Sequence, residues 1–158
     1  MIDHAEQRRI LHLGSPSSRP LSRDYEVVGW AGECAFGRAI GQKPDATPRP
    51  SGDKGIDFTV ACRVRDGVRL FTVDVKTARK PHNLLVEVGK VHASIYVLAR
   101  FIAPEQADLL GWEWAALVRP APTGVFYPSN PIPSHYIPAG RLRPMFELLG
   151  RIVANPPA

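Results

Sequence analysis

The sequence predicts an α/β (α+β) fold, with one domain built on a mixed β-sheet core flanked by helices. Three observations lead to this prediction: a proline-free stretch at residues 22–40, two β-prone runs around an Asp-Gly pair at 56–77, and a nearly unbroken apolar run at 91–102. The chain has 158 residues and 44% of them are hydrophobic, which is enough for one core. We therefore expect a single domain over residues 1–158, with its core at 22–118.

Composition and charge narrow the function classes. The net charge of +5 favours a polyanionic partner such as nucleic acid, although charge alone favours it only modestly. No apolar run approaches the roughly 18 residues that a membrane span needs, and the start of the chain is charged, unlike a secretory leader. We expect no membrane association and a cytoplasmic location. Cys34 and Cys62 have no partner at a metal-like spacing, so two reduced, buried thiols are expected.

The helices are predicted from their start and stop signals. The proline-free stretch at 22–40 is the main helix and ends at Gly41. Asp3 and Glu6 resemble a capping pair and favour a short helix at the start of the chain. A last helix is expected to begin near Pro144.

Strands and irregular connections account for the rest of the chain. Residues 42–54 form a proline-rich loop, and 84–88 and 109–118 read as strands in addition to the central strand at 91–102. Residues 119–158 are expected to be a proline-rich wrapping segment followed by the C-terminal helix.

Glu33 is the first candidate functional residue. In a helix it shares one face with Phe36 and Ile40, because residues three and four apart lie together. A carboxylate that points at a core is unusual. The pattern fits equally well a glutamate at the border of the buried stripe with its carboxylate in water.

The Asp-Gly pair at 66–67 is a strong hairpin signal, because it lies between two β-prone runs. If Asp66 and Gly67 are the two loop residues, Arg65 pairs with Val68. This register predicts one apolar face for the core, broken by an arginine near the turn. Its members are Ile56, Phe58, Val60, Cys62, Val64, Phe71, Val73 and Val75.

The opposite face of the predicted hairpin carries charge. The same register places Asp57 directly across from Lys76, and Thr59 across from Asp74. The two carboxylates can then converge on one cation beside Lys76. The alternative is a cross-strand ion pair between Asp57 and Lys76 on a solvated sheet face, worth at most about 1 kcal/mol.

These residues also form a family pattern. "GECAFGRAI" contains Glu33, "GDKGIDF" contains Asp57, and "VDVKT" contains Asp74 and Lys76. Their order and separation resemble the PD-(D/E)XK nucleases, which have the restriction-endonuclease-like fold and include Holliday-junction resolvases. The resemblance covers roughly residues 22–102 and points to a small phage or bacterial member.

The resemblance implies a metal site. Asp57 and Asp74 are then ligands of Mg²⁺ or Mn²⁺, Lys76 is the catalytic lysine, and Glu33 is a further ligand or a water-orienting group. Carboxylate oxygens are the hard ligands that these ions prefer, and the backbone carbonyl of Val75 is a candidate third oxygen.

In three places the sequence departs from the family pattern. Ile56 stands before the first aspartate where proline is usual, and Asp74 is the second acid where glutamate is commoner. The family core also has a substantial helix after the Asp-x-Lys strand, and here Pro81 and "NLLVEVGK" leave little room for one.

The function that follows is a divalent-metal-dependent endonuclease acting on DNA, in a bacterial cell or a phage-infected host. The alternative is an inactive nuclease-fold module that binds nucleic acid or a protein, and both a monomer and a homodimer remain open. Cations near the site are expected to contact phosphates. The main candidates are Lys43, Lys54, Arg79 and Lys80, with Arg49, Arg63 and Arg65 as further ones.

Overall fold

The computed structural model describes residues 23–45, 55–129 and 131–153. The short helix predicted from Asp3 and Glu6 lies outside these ranges, as do the cations Arg49 and Lys54. In chain order the elements are α1 (Arg23–Ile40), β1 (Phe58–Val64), β2 (Gly67–Ala78), β3 (Asn83–Glu87), β4 (Ile95–Ala103), β5 (Gln106–Trp114), α2 (Ala115–Val118), β6 (Thr123–Gly124), β7 (Ser134–Pro138), a 3₁₀ turn (Ala139–Arg141) and α3 (Met145–Arg151).

Helix α1 confirms the main predicted helix, and Gly41 ends it. Gly41 has φ +71°, and its N–H bonds to the carbonyl of Arg38 at 3.4 Å. The N–H of Gln42 bonds to the carbonyl of Gly37 at 2.9 Å. These two bonds form a Schellman motif, in which the residue after the helix has a positive φ that glycine adopts readily.

The main sheet has four strands in the order β1-β2-β4-β5. Strands β2 and β4 are parallel, and the other neighbouring pairs are antiparallel. The apolar run predicted as a central strand is β4, which has a neighbour on each side, and this prediction is confirmed.

The hairpin is confirmed, but its predicted register is wrong by two residues. Val64 pairs with Gly67, so the loop residues are Arg65 and Asp66. Gly67 has φ +129°, which glycine adopts at little cost, and it is used as the first residue of β2. Because side chains alternate with a period of two, this shift leaves every side chain on its predicted face.

A second sheet, not foreseen from the sequence, has three antiparallel strands in the order β3-β7-β6. The strand predicted at 84–88 is β3, and it pairs with β7. Strands β6 and β7 lie within the segment expected to be irregular. The prolines of this segment argued against a strand in the sequence. Strand β7 can form because Pro138 is its last residue, and a strand end tolerates a residue without an N–H.

The two faces of the main sheet are covered differently. Helices α1 and α3 pack on one face, where Phe36 and Leu148 join the cluster of Val73, Val75 and Val97. The second sheet and α2 pack on the other face over β4, where Leu84 and Val86 contact the cluster of Tyr96 and Leu98. The molecule is therefore a single compact α/β domain in its described part, with three layers.

The crossover from β2 to β4, residues 79–94, contains β3 and no helix. The expectation that this connection has no room for a substantial helix is therefore confirmed. Helix α3 starts directly after Pro144, and Cys34 and Cys62 are buried free thiols, both as expected. Among the helices of the described ranges, none combines the length and the apolarity that crossing a membrane requires.

Candidate functional site

The centre of the candidate site is an ion pair on β2. The Nζ atom of Lys76 lies 2.8 Å from Oδ2 of Asp74. The Asp74 side chain is 7% exposed, whereas that of Lys76 is 39% exposed. The carboxylate is thus enclosed by protein, and the ammonium group is the more accessible partner.

Asp57 lies beside this pair, directly before β1. The ladder begins at Phe58 and Val73, and the N–H of Asp57 also bonds to the carbonyl of Val73, at 2.8 Å, so Asp57 is not directly across from Lys76 as predicted. Oδ2 of Asp57 accepts a hydrogen bond of 2.8 Å from the N–H of Val75. Asp57, Asp74 and Lys76 therefore lie at the same end of the hairpin, and both carboxylates act on the charge of Lys76.

The carbonyl of Val75 is directed toward the same place. In an antiparallel pair one residue exchanges both its N–H and its C=O with the same neighbouring strand, so both groups point to one side. The N–H of Val75 points toward Asp57. Its carbonyl therefore also points to the side of Asp57.

The charges around Lys76 keep it protonated. Burial lowers the pKa of Lys76, but the charge of Asp74, the hydrogen bond to it, and the charges of Tyr25 and Asp57 outweigh burial and raise the pKa above its usual value. Lys76 is therefore a cation at neutral pH. In this arrangement it can stabilise negative charge or orient a water molecule, and it is a poor general base.

Sequence reasoning missed Tyr96, which pairs with Asp74 across β2 and β4. Its side chain is 1% exposed, and Oη accepts a hydrogen bond of 3.2 Å from the N–H of Ala93. Burial raises the pKa of Tyr96, and the charge of Asp74 adds to this effect. No sequence signal locates Tyr96 here, because the register between parallel strands depends on the crossover.

Gly55 was noted only as part of the Gly-Ile-Asp motif. It has φ +75°, and a Cβ atom at this position would lie 3.8 Å from Oδ2 of Asp74. The positive φ turns the chain two residues before Asp57, and Gly55 itself lies against the Asp74 carboxylate.

Glu33 is buried, with 6% of its surface exposed. The interpretation that places it at a solvated border is therefore not supported. It lies on α1, which covers the Val75 face of β2: Gly32 packs against Val75 and Thr77, and the rings of Phe36 and Phe58 are 5.1 Å apart. Within the described ranges, no three His, Cys, Asp or Glu side chains are grouped so as to hold a metal ion. The ligand or water-orienting role of Glu33 stays a prediction.

The predicted phosphate contacts fall in different places. Lys80 is exposed directly after Arg79, and Lys43 is exposed beyond the end of α1, whereas Lys54 is outside the described ranges. Arg79 pairs with Asp24, and its guanidinium carbon lies 4.5 Å from the centre of the Phe101 ring.

Arg63 and Arg65, the further candidates for phosphate contacts, lie apart from the carboxylates, and their role stays a prediction. They lie at the turn end of the hairpin, whereas Asp57 lies at its open end. Six residues of strand separate Asp57 from Arg63, which is a distance of about 20 Å.

No protein-family model, curated protein or solved structure matches this chain. The interpretation of the site therefore depends on its own geometry.

The oxygen atoms at the open end of the hairpin suit a hard divalent cation. Sites for Mg²⁺ commonly use one or two carboxylates, and water and substrate phosphate complete the coordination shell. Asp57 and Asp74 provide two carboxylates, and the Val75 carbonyl is a third oxygen on the same side. Lys76 occupies one oxygen of Asp74, so a cation here shares that carboxylate with the ammonium group.

Proposed function

We propose that this chain is a divalent-metal-dependent nuclease that hydrolyses phosphodiester bonds in DNA. The observation that carries the proposal is the enclosed Asp74 carboxylate, 2.8 Å from the Lys76 ammonium and next to the anchored Asp57. Two acids and a lysine at one strand end are the groups that metal-assisted phosphodiester hydrolysis requires.

The order of the helices and strands also supports this proposal. Helix α1 precedes a hairpin that carries the acids, and the next strand of the main sheet runs parallel to the Asp-x-Lys strand. This order agrees with what the resemblance to the PD-(D/E)XK nucleases implies. The crossover differs from that family pattern, because it contains a strand and no helix. Assignment to the restriction-endonuclease-like fold is part of the proposal.

In the proposed site, Asp57, Asp74 and the Val75 carbonyl hold Mg²⁺ or Mn²⁺. The ion, when bound, lowers the pKa of its water and neutralises charge on the phosphate. Lys76 stays protonated, and its ammonium group stabilises the charge that develops on phosphoryl oxygens. The hydrogen bond from Val75 fixes the Asp57 carboxylate, so that this ligand is oriented before the substrate arrives.

A second candidate is a non-catalytic module that binds nucleic acid or a protein. The ion pair and the hydrogen bond of Asp57 satisfy these side chains without a metal, and this observation favours a structural role. The two candidates differ in metal binding. Titration calorimetry with Mn²⁺ should show heat of binding that Asp57→Asn and Asp74→Asn each abolish if the first candidate is correct. Identical titrations for all three proteins support the second.

Cleavage assays test the reaction itself. Linear, flapped, single-stranded and four-way DNA should be incubated with the protein and Mg²⁺ or Mn²⁺. The proposal predicts cutting of at least one substrate, which EDTA abolishes. If no substrate is cut with either ion while Mn²⁺ binds as predicted, the nuclease assignment is wrong.

A further inference from the structure

The turn end of the hairpin extends beyond the main sheet as a two-stranded ribbon. Strand β2 pairs with β4 from Val73 onward, and within the described ranges β1 has an outer neighbour only at Ala61 and Cys62, which bond to residues 152–153. We call residues 63–70 the ribbon tip. All of its residues are exposed except Val64, which is half-buried.

The ribbon tip is basic and carries exposed apolar side chains. It contains three arginines and one aspartate, a net charge of +2. Within the described ranges, Arg65 and Arg69 have no ion-pair or hydrogen-bond partner, and Arg63 makes one bond of 3.3 Å to the carbonyl of Gly150. Val68 is 45% exposed and Leu70 is 70% exposed. Val68 and Leu70 thus form an exposed apolar pair rimmed by arginines, and such patches are one mark of an interaction site.

The two faces of the ribbon tip differ. Arg63 pairs with Val68, and alternation along β2 places Val68 and Leu70 on the same face as Asp74. Arg69 pairs with Cys62 and points to the opposite face. Within the described ranges the second sheet covers the Asp74 face over β4, and along β1 and β2 Thr59, Val68 and Leu70 are exposed on this face, whereas Ala61 and Asp74 are buried. We call the exposed part, toward the ribbon tip, the open face.

We propose that the open face of the β1–β2 ribbon is a duplex DNA-binding surface, with Val68 and Leu70 against the bases and Arg63 and Arg65 on flanking phosphates. The major groove is about 12 Å wide and admits a two-stranded ribbon. Leu70 is four residues from Asp74, about 13 Å along the strand. That distance corresponds to about four base pairs at 3.4 Å each. A duplex on this face therefore reaches the carboxylates at the open end.

Charge argues against a second copy of the chain as the occupant. Edge-to-edge pairing of two ribbon tips would bring arginines close to arginines. Their repulsion disfavours such pairing, as charged side chains do on many exposed strand edges. The excess of positive charge on the ribbon tip complements a phosphate backbone. The inference rests on the proposed function only in taking DNA as the ligand.

Binding measured without cleavage tests this surface. Fluorescence anisotropy with a labelled 20-base-pair duplex, in EDTA and over a series of salt concentrations, gives both the Kd and its salt dependence. Arg63→Gln should weaken binding about eightfold at 0.1 M salt and reduce the log–log salt slope by about 0.9. Leu70→Ser should weaken binding about fivefold or more with an unchanged slope, because it loses an apolar base contact.

Arg69→Gln is the matched control, since it makes the same charge change on the other face of the same ribbon. We expect its Kd to stay within about twofold of wild type. Thermal unfolding midpoints of all three variants should equal that of wild type, because the altered side chains are exposed. Equal weakening by Arg63→Gln and Arg69→Gln overturns the assigned face, and unchanged affinity in Arg63→Gln and Leu70→Ser overturns the surface itself.

Other ligands have distinct outcomes. Tighter binding to single strands, binding to anionic phospholipid vesicles in place of DNA, or self-association that Leu70→Ser abolishes each contradicts the proposal. Failure of the proposed function gives a different result. If the wild type binds duplex DNA through the ribbon but does not cut it with Mg²⁺, the binding surface is supported and the nuclease assignment is wrong.

Discussion

Replacing Lys76 by methionine should destabilise the fold more than replacing Asp74 by asparagine. The charges are 2.8 Å apart, which at an effective dielectric constant of about 20 gives an attraction of about 6 kcal/mol before desolvation. Lys76→Met leaves a carboxylate charged and 7% exposed, and removing one partner of a buried pair commonly costs about 3–5 kcal/mol. Because Lys76 is 39% exposed, we expect a value at or below the lower end of that range, about 2–3 kcal/mol.

The opposite variant should cost less. Asp74→Asn leaves a lysine whose side chain is 39% exposed, so the loss of stability should be about 1 kcal/mol. Urea unfolding at pH 7 without metal measures both values, and a loss of 2–3 kcal/mol corresponds to a fall of about 5–10 °C in Tm. Arg100→Met is the matched control, since Arg100 pairs with Asp108, whose side chain is 46% exposed, so this variant leaves a solvated carboxylate. If Lys76→Met costs no more than Arg100→Met or Asp74→Asn, the account of an enclosed carboxylate held by Lys76 is refuted.

Three further predictions concern the elements that position the site. A Cβ at Gly32 would lie 1.8 Å from Oγ1 of Thr77, so Gly32→Ala should destabilise the fold by about 2–3 kcal/mol and Thr77→Ala should restore part of the loss. Gly29→Ala, in the same helix with nothing within 4 Å, should stabilise it by about 0.5–1 kcal/mol. Burial raises the pKa of Cys62 above its usual 9.0, so wild-type stability should fall as pH rises above 9.0, and a Cys62→Ala variant should lose this part of the pH dependence. Asp57→Ala should cost about 1–2 kcal/mol and Asp57→Asn less, because asparagine keeps an acceptor for the backbone N–H.

Each of these has a clear contrary result. Equal effects of alanine at Gly32 and Gly29 in thermal unfolding contradict the close contact of α1 with β2. Identical alkaline stability curves for wild type and Cys62→Ala contradict a thiol that stays neutral in the fold. Equal costs of Asp57→Ala and Asp57→Asn contradict the anchoring hydrogen bond.

The faces of the hairpin could be predicted from the sequence, but its exact pairing could not. Alternation with a period of two assigns Asp57, Asp74 and Lys76 to one face in any register that differs by an even number of residues. The choice between the two registers depends on the backbone of Gly67. An Asp-Gly pair favours a turn with both residues in the loop, and here the glycine follows the loop.

The residues that lie next to the site on the neighbouring strand could not be predicted from the sequence. Tyr96 lies in a strand that was predicted, yet its position next to Asp74 follows from the parallel pairing of β2 and β4. The crossover that sets this pairing contains β3, whose partner β7 comes from a proline-rich segment far along the chain. Local patterns identify elements, and such long-range pairings are decided by packing.

The sequence pattern could place Glu33 beside the buried stripe of α1, but it could not decide whether its carboxylate is buried. Helical spacing placed it on the stripe of Phe36, and burial confirms that stripe. Whether its carboxylate lies at the border or inside depends on how closely α1 approaches the sheet. Gly32 determines that approach, because the glycine lets the helix backbone contact Thr77.

Metal-dependent cleavage by matched aspartate variants tests the central claim most directly. Wild type, Asp74→Asn and Asp108→Asn should be compared on a supercoiled plasmid with Mg²⁺ and with EDTA. The side chain of Asp108 is 46% exposed on β5, outside the hairpin and its ribbon tip. The account predicts Mg²⁺-dependent nicking by wild type and Asp108→Asn, and a loss of at least about 100-fold in Asp74→Asn. Equal nicking by all three folded proteins, or none by any, would contradict it.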